Sequence, residues 1–344
     1  MTEKISLRFC GAFASSRGSL LIVSLWLVAI LSALAVATAR FLSLEIRVTK
    51  YRESREQAFA LARSGVFLAM QRLAEDTQEA DNNTADWLGD DWAYFPGQED
   101  PTRWIVPFRA AGGEGGRLSG RVEIQITDEP RKLRLNVADQ RDPAELRRLT
   151  GSDLAAQAII DALDAPAPDV EDDPRMSPPY VAKNGPFAAL EELNDLPGMT
   201  PQVYDILKAN ASPYVEATEP ININTVEPDV LRAMGLSEAA VQEVLTFRNG
   251  PDGPDAHEQD GIFQAGTIAA TIGNRIVLSD ADDSILTNNF GVTSSVFTVV
   301  STGIIQRPLT RATITAVIRR AGCPDGAPQP CIIAWRQGDR KSVV

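Results

Sequence analysis

The chain has 344 residues, enough for two compact folded units beside any membrane segment. Its 44% hydrophobic and 23% charged content excludes wholesale disorder. A formal net charge of −13 argues against a surface built for phosphate backbones, which needs clustered Lys and Arg. The one histidine, His257, sits in a Gly/Pro/Asp-rich stretch that reads as loop, and no HExxH, Cys-x-x-Cys or Cys/His ligand cluster occurs. A zinc enzyme or a Ser-His-Asp hydrolase would have to route its chemistry through that residue, so no catalytic set is expected.

Residues 1–18 are polar to mixed and carry Lys4, Arg8 and Arg17 against Glu3. Residues 20–39 are an uncharged apolar run that matches the roughly 20 residues a bilayer-spanning helix needs. The basic flank predicts that the N-terminus stays cytoplasmic and the bulk is exported. A secretory signal peptide is the competitor, and residues 35–37 could mimic its small-residue cleavage site. Its apolar core is usually shorter, however, and here helical periodicity runs on without Pro to about Asp76. Phe41, Leu44, Val48, Phe59, Ala62, Val66, Ala69, Met70 and Leu73 recur at spacings of three and four, with Arg47, Lys50, Arg52, Glu53, Arg55 and Glu56 on other faces. The pattern predicts one helix, half in lipid and half offering an apolar stripe to a folded domain.

Residues 82–120, with Trp87, Trp92 and Trp104, read as an irregular connection with one strand. Val122, Ile124 and Ile126 then alternate with polar residues, and Leu133, Leu135 and Val137 repeat the pattern. Asp128-Glu129-Pro130 is a turn signal between them, so a hairpin is expected. From about Asp142 to Ala211 helices dominate. Asp142 before Pro143, and Ser152, read as N-caps. A Pro/Asp-rich loop covers residues 164–179, and helical pairs follow. Pro197-Gly198 reads as a helix-ending turn. Asn222, Asn224 and Thr225 read as cap and turn formers, and Glu227 would complete a capping-box-like start if Asn224 or Thr225 caps the helix. β-Branched or alternating segments return at 292–305, 309–320 and 331–337, and most simply complete the sheet begun at 121–137. The fold class is α+β with a helical insertion between the halves of a sheet.

There are three cysteines. Cys10 precedes the apolar run. Cys323 and Cys331 flank a Gly/Pro-rich loop that can bring their Cα atoms within disulfide reach in an oxidising compartment; two free thiols are the alternative.

The order of basic leader, Arg17-Gly18, apolar span and continuous amphipathic helix resembles the type IV pilin and pseudopilin superfamily. That resemblance implies cleavage by a prepilin peptidase between Gly18 and Ser19 and N-methylation of Ser19. Most pseudopilins carry Glu at the fifth mature position, where this chain has Val23. A carboxylate in apolar packing is costly unless paired, and in the superfamily its partner is the N-terminal amine of the subunit already in the filament. A chain without that Glu suits a tip subunit; a degenerate pilin is the bland alternative.

Further along, TDEPRKLRLNV, GPFAALEELNDLPGMT, SPYV, ININTVEPDVLRAMG and FTVVSTG, in that order, resemble the K-type minor pseudopilins of type II secretion, the general secretion pathway protein K family. The likeness covers most of residues 15–320. TDEPRKLRLNV departs from the pattern at Pro130, Arg131, Lys132 and Arg134, and nothing after residue 320 matches. It implies a pseudopilin fold: a long N-terminal transmembrane and stem helix packed on an antiparallel sheet, with a large all-α insertion of helix-hairpin-helix or SAM-like modules. The expected divisions are a leader at 1–18, a transmembrane part at 19–39, a stem at 40–80 and the first part of the α+β domain at 81–140. The inserted domain follows at 141–285, with modules at about 186–214 and 221–250. The second part of the α+β domain is expected at 286–320 and a tail with the candidate disulfide at 321–344.

The implied partners are I- and J-type minor pseudopilins, the major pseudopilin, the prepilin peptidase and the inner-membrane assembly platform. The implied place is the inner membrane, single-pass, with the bulk periplasmic. No cofactor is required; calcium is the one the resemblance allows. Its candidate ligands are Asp169, Glu171, Asp172 and Asp173; Asp252, Asp255 and Asp260; and Asp280, Asp282 and Asp283, none with EF-hand spacing. Solvated acidic loops are the alternative for each. A minor pilin of a type IV pilus would share the leader but lack the insertion. The helical hairpins also look like nucleic-acid modules, but Glu191, Glu192, Asp195, Asp205, Glu238 and Glu243 surround their turns and repel phosphate.

Overall fold

A computed structural model describes residues 17–76, 85–109, 118–137, 143–163, 172–173, 180–181, 183–250, 261–306, 308–323, 327 and 329–338. The chain divides into two units, Met1–Glu56 and Gln57–Val344. Helix α1, Arg17–Asp76, runs through the first unit and on into the second. In the first unit its apolar stretch reaches a mean hydropathy of 2.7 and is long and apolar enough to cross a membrane. The Ser24 and Thr38 hydroxyls donate to the carbonyls of Leu21 and Leu34, which keeps them satisfied where no water would be.

In the second unit, strands β1 (Trp104–Arg109), β2 (Leu118–Asp128) and β3 (Leu133–Arg134) precede helices α2 (Pro143–Thr150) and α3 (Asp153–Leu163). Strands β4 (Asp172–Asp173) and β5 (Tyr180–Val181), a 3-10 turn at Leu190–Asp195, and α4 (Pro201–Asn210) follow. Next come β6 (Ala211–Ser212), β7 (Ile221–Asn222), α5 (Pro228–Met234), α6 (Glu238–Asn249), α7 (Ile268–Gly273) and α8 (Asp280–Asn289). The described chain ends with β8 (Phe290–Gly291), β9 (Val296–Gln306), β10 (Leu309–Arg319) and β11 (Cys331–Gly338).

Five strands form one antiparallel sheet in the order β1-β2-β9-β10-β11. The alternation read from sequence sets its inner face. Val122, Ile124 and Ile126 join Phe297, Val299, Ile314, Ala316 and Ile318 against Ala62, Val66, Ala69 and Leu73 of α1. Each large side chain buried there is worth about 1.5–3 kcal/mol. Trp92, from the connection after α1, is 1% exposed and meets Phe297 edge-on at 5.1 Å.

Between β3 and β9 the chain builds a second core, around Leu146, Ile159, Leu207, Val230, Val241 and Phe263. Local chemistry dictates many of its helix starts. Thr200, Ser237 and Ser279 accept backbone N–H groups as N-caps of α4, α6 and α8, and the Ser152 hydroxyl accepts from Ala155 at the start of α3. Gly235, at φ +97°, ends α5 and turns the chain into α6.

Four expectations are corrected. Residues 121–137 are not a hairpin. β2 pairs with β1 and β9, whereas β3 pairs in parallel with β6, and Leu133 and Leu135 are buried in the helical core. Alternation marks a buried face but not which core buries it. The insertion is not wholly α, since β4 pairs with β5 inside it as a two-residue ladder and β7 pairs with β8, just beyond it, as another. The segment at 186–214 holds a 3-10 turn and one α-helix, not two α-helices. Glu227 is itself the N-cap of α5 and caps through no side-chain bond, so no capping box forms from Asn224 or Thr225. In addition, β11 carries the sheet into the segment that the sequence division treats as a tail.

Candidate assembly surface and its supporting junction

Gly18 and Ser19 lie in the first turn of α1. Val23 is 52% exposed, among a continuous set of exposed apolar residues from Leu20 to Val36. Among the described residues nothing in its own unit covers that surface, and a continuous apolar face of this kind marks an interaction site.

In the second unit, a buried polar junction ties the sheet to the helical body. The Asn222 amide donates to the Asp86 carbonyl at 3.0 Å and to the Ser294 hydroxyl at 2.9 Å, and its oxygen accepts the Asn224 N–H at 3.0 Å. Asn224 in turn pairs with the Phe263 backbone through both amide atoms. The Asp128 carboxylate accepts the Thr225 hydroxyl at 2.6 Å and the Ser294 hydroxyl at 2.9 Å. The Ser294 N–H donates to Asp86 at 2.6 Å. Arg320, at the end of β10, reaches Asp76 at 2.5 Å, Asp86 at 2.6 and 2.8 Å, and the Ser294 carbonyl at 2.6 Å. Its guanidinium also lies 5.0 Å from the centre of the Phe297 ring.

Burial pushes the Asp128 carboxyl up, opposed by the charge of Arg131 and the two hydroxyls. Burial opposes the charge on Arg320, but its bonds to Asp86 and the fields of Asp86, Asp76 and Asp90 raise it above its ordinary value. Burial, and then Arg131, bring Arg248 down to about 10; it donates to the carbonyls of Ile223 and Val226. The arrangement fastens the sheet to the helical body.

Sequence reasoning treats Asn222, Asn224, Thr225 and Asp128 as local turn formers and passes over Asp86, Ser294 and Arg320. A signal for two of them exists. Asp128 continues the inward series of Val122, Ile124 and Ile126, and Arg320 continues that of Ile314, Ala316 and Ile318. A charge in an inward register predicts a buried partner.

Cys323 and Cys331 are joined as a disulfide with their Cα atoms 6.1 Å apart, and Cys331 opens the edge strand β11. The β11 residue Arg336 pairs with Glu191 of the 3-10 turn, which ties that edge to the helical body.

Among the acidic candidates, Asp169, Glu171, Asp252, Asp255 and Asp260 lie outside the described residues, and Asp172 and Asp173 form β4. Asp280, Asp282 and Asp283 form the first turn of α8. Asp282 accepts the Ser237 N–H and hydroxyl at 2.8 and 2.9 Å and the Ser279 hydroxyl at 2.7 Å. Its oxygens cap two helices, so this trio does not fit a calcium ion. Among the described residues no group of three or more His, Cys, Asp or Glu is placed to hold a metal ion.

A long apolar N-terminal helix that continues onto an antiparallel sheet defines a pseudopilin-like fold. Among solved structures, the chain is similar to GspK in the crystal structure of the GspK-GspI-GspJ complex from the enterotoxigenic Escherichia coli type 2 secretion system. The TM-score is 0.61 at 19% identity, over 85% of this chain and 99% of that one. No protein-family model and no curated protein matches. At this identity the likeness is one of fold.

Proposed function

We propose that this chain is a minor pseudopilin of a type II secretion system, of the K type, and acts by assembly, not catalysis. The observation that carries the reading is the fold likeness over 85% of the chain, joined to an apolar helix long enough to span a membrane. On this reading residues 19–39 hold the subunit in the inner membrane with its N-terminus cytoplasmic, after a prepilin peptidase has cut between Gly18 and Ser19 and Ser19 has been methylated. The exported unit joins I- and J-type minor pseudopilins in a tip complex that initiates and caps the pseudopilus. Two features support the tip position: Val23 in place of a filament-pairing Glu, and a helical body too bulky for a filament wall. The stem helices of neighbouring subunits pack side by side.

The test is co-purification of the full chain in detergent with the host's other minor pseudopilins, read by size-exclusion chromatography with light scattering. A stable 1:1:1 complex supports the reading. A chain that stays alone while it shifts with DNA, or turns over a hydrolase substrate, defeats it.

A further inference from the structure

Helix α1 leaves its apolar run through a zone of mixed character. Residues 40–52 carry Arg40, Arg47, Lys50 and Arg52 against one acid, Glu45, in a chain whose net charge is −13. All four cations are exposed, and none has an ion-pair partner among the described residues. Phe41, Leu42, Leu44, Ile46, Val48 and Tyr51 stand between them and are exposed as well. The apolar surface therefore does not end where the charge begins; the two overlap along about 18 Å of helix. The Ser43 hydroxyl donates back to the Ala39 carbonyl at 2.8 Å, so this side chain, like Thr38 below it, needs no water.

Helical spacing groups these side chains. Arg40 and Arg47 lie seven residues apart on one face, in a row with Leu44 and Tyr51, and Lys50 stands one turn beyond Arg47. Like charges so close repel one another, and an occupant that relieves the repulsion must be anionic. The apolar and aromatic residues among them require that it also have an apolar side. A layer of acidic phospholipid headgroups meets both conditions, and it begins where the apolar run at residues 20–39 ends.

We propose that residues 40–52 bind acidic phospholipid headgroups at the bilayer surface from which α1 emerges. Arg40 and Arg47 take the phosphates, and Phe41 enters the acyl boundary. The headgroup layer on one side of a bilayer is about 5–8 Å thick. Arg47 stands about 10 Å beyond Arg40 along the axis, and its long stem bends back to the phosphate level. Lys50 and Arg52 lie within roughly 8 Å of Arg47 along the axis, one Debye length, and add to the field. The inference rests on the membrane-anchor part of the reading above and not on its secretion part.

The test reconstitutes the full chain in phosphatidylcholine vesicles with a trace of spin-labelled phosphatidylglycerol or spin-labelled phosphatidylcholine. Electron paramagnetic resonance then reads how much of each label the protein immobilises. The wild type should prefer phosphatidylglycerol by about fivefold at low salt, and the preference should fade in about 1 M NaCl. Arg40→Gln/Arg47→Gln/Lys50→Gln/Arg52→Gln should lower that preference about threefold or more. Arg40→Lys/Arg47→Lys/Arg52→Lys should keep it, because the charge is retained. Lys4, Arg8 and Arg17, on the other flank of the apolar run, are common to all three proteins, so the comparison cancels them. A wild type that immobilises neither lipid has not inserted, which defeats the anchor reading and this inference with it. A wild type that immobilises both lipids equally, or a glutamine variant with the full preference, overturns this inference alone and leaves the anchor standing. A glutamine variant with unchanged lipid preference that no longer co-purifies with the other minor pseudopilins assigns the zone to a protein partner instead.

Discussion

Gly303 of β9 lies directly beneath Ala58 of α1. A Cβ at residue 303 would run into the Ala58 carbonyl oxygen and stand 2.8 Å from the Ala62 nitrogen. From the helix side, a Cβ at Gly65 would run into the Ser301 hydroxyl and stand 2.6 Å from a methyl of Val122. The two glycines set how closely helix and sheet approach. Their obstructions differ in kind: backbone at 303, side chains at 65. Gly303→Val should therefore cost about 3 kcal/mol, because helix backbone cannot repack, and Gly65→Ala about 1 kcal/mol. Denaturant unfolding of the full chain in detergent, followed by tryptophan emission, measures both. Equal losses would mean that this contact does not fix the helix height.

Asn222 joins the connection after α1, the segment before β9 and its own turn through three buried bonds. Asn222→Ala strands the Asp86 carbonyl and the Asn224 N–H in the interior. The expected loss is about 2–3 kcal/mol. Because the bonds cross from sheet to helical body, limited proteolysis should cut between the two bodies sooner than in the wild type. Unchanged cleavage would reduce Asn222 to a local turn former.

That residue also marks the limit of what could be read beforehand. The inward face of β2 was legible, and β9 and β10 were legible as strands, because period-two alternation and β-branching are properties of each strand alone. The partner of a strand is not, which is why residues 133–137 look like the return arm of a hairpin but are buried by helices. In the same way Asn222, Asn224 and Thr225 suit a local cap, whereas their partners lie far along the chain, at Asp86, Ser294, Phe263 and Asp128. The helix start at Ser152 was legible because capping is local. The 3-10 turn at Leu190–Asp195 shows the reverse: Glu192 bends back to the N–H groups of Ala188 and Ala189, and the apolar spacing around it imitates an α-helix.

The disulfide closes a short loop, eight residues from Cys323 to Cys331, at the start of an edge strand. Loop-closure entropy for that length gives a stabilisation of about 2–3 kcal/mol. Reduction, or a Cys323→Ser/Cys331→Ser double variant, should lower the thermal midpoint. Hydrogen exchange should speed up in β11 ahead of β9, since β9 keeps two neighbouring strands and β11 has one. Uniform acceleration across the sheet would contradict a local role.

Asp282 separates a structural acid from its neighbours. Burial raises its pKa, but bonds from Ser237 and Ser279 more than offset this, and the folded value lies below the ordinary 3.8. A depressed carboxyl contributes stability that is present above the unfolded pKa and is lost as pH falls through the folded one. Asp282→Ala should then cost about 2 kcal/mol at neutral pH, with a smaller deficit in acid. Asp280→Ala and Asp283→Ala should change little, and added calcium should not distinguish the three. Thermal melts at two pH values, with and without calcium, read all of this; a calcium-dependent rise that Asp282→Ala abolishes would assign the trio to metal instead.

The last prediction concerns the first turn of α1 and rests on the pseudopilin reading. A peptidase that cuts after a glycine needs its backbone to approach the active site closely, and a side chain at that position blocks the approach. Gly18→Asp adds a carboxylate as well, beside an apolar run that must enter lipid. In cells that carry a prepilin peptidase, the wild-type chain should shorten by the leader, residues 1–18, and Gly18→Asp should keep its full length and remain membrane-bound. Mass spectrometry of the N-terminus gives the cut site and any methyl group on Ser19 together. A wild-type product that begins near residue 38 would instead identify a secretory signal cleavage, and the apolar run would then leave the mature protein rather than anchor it.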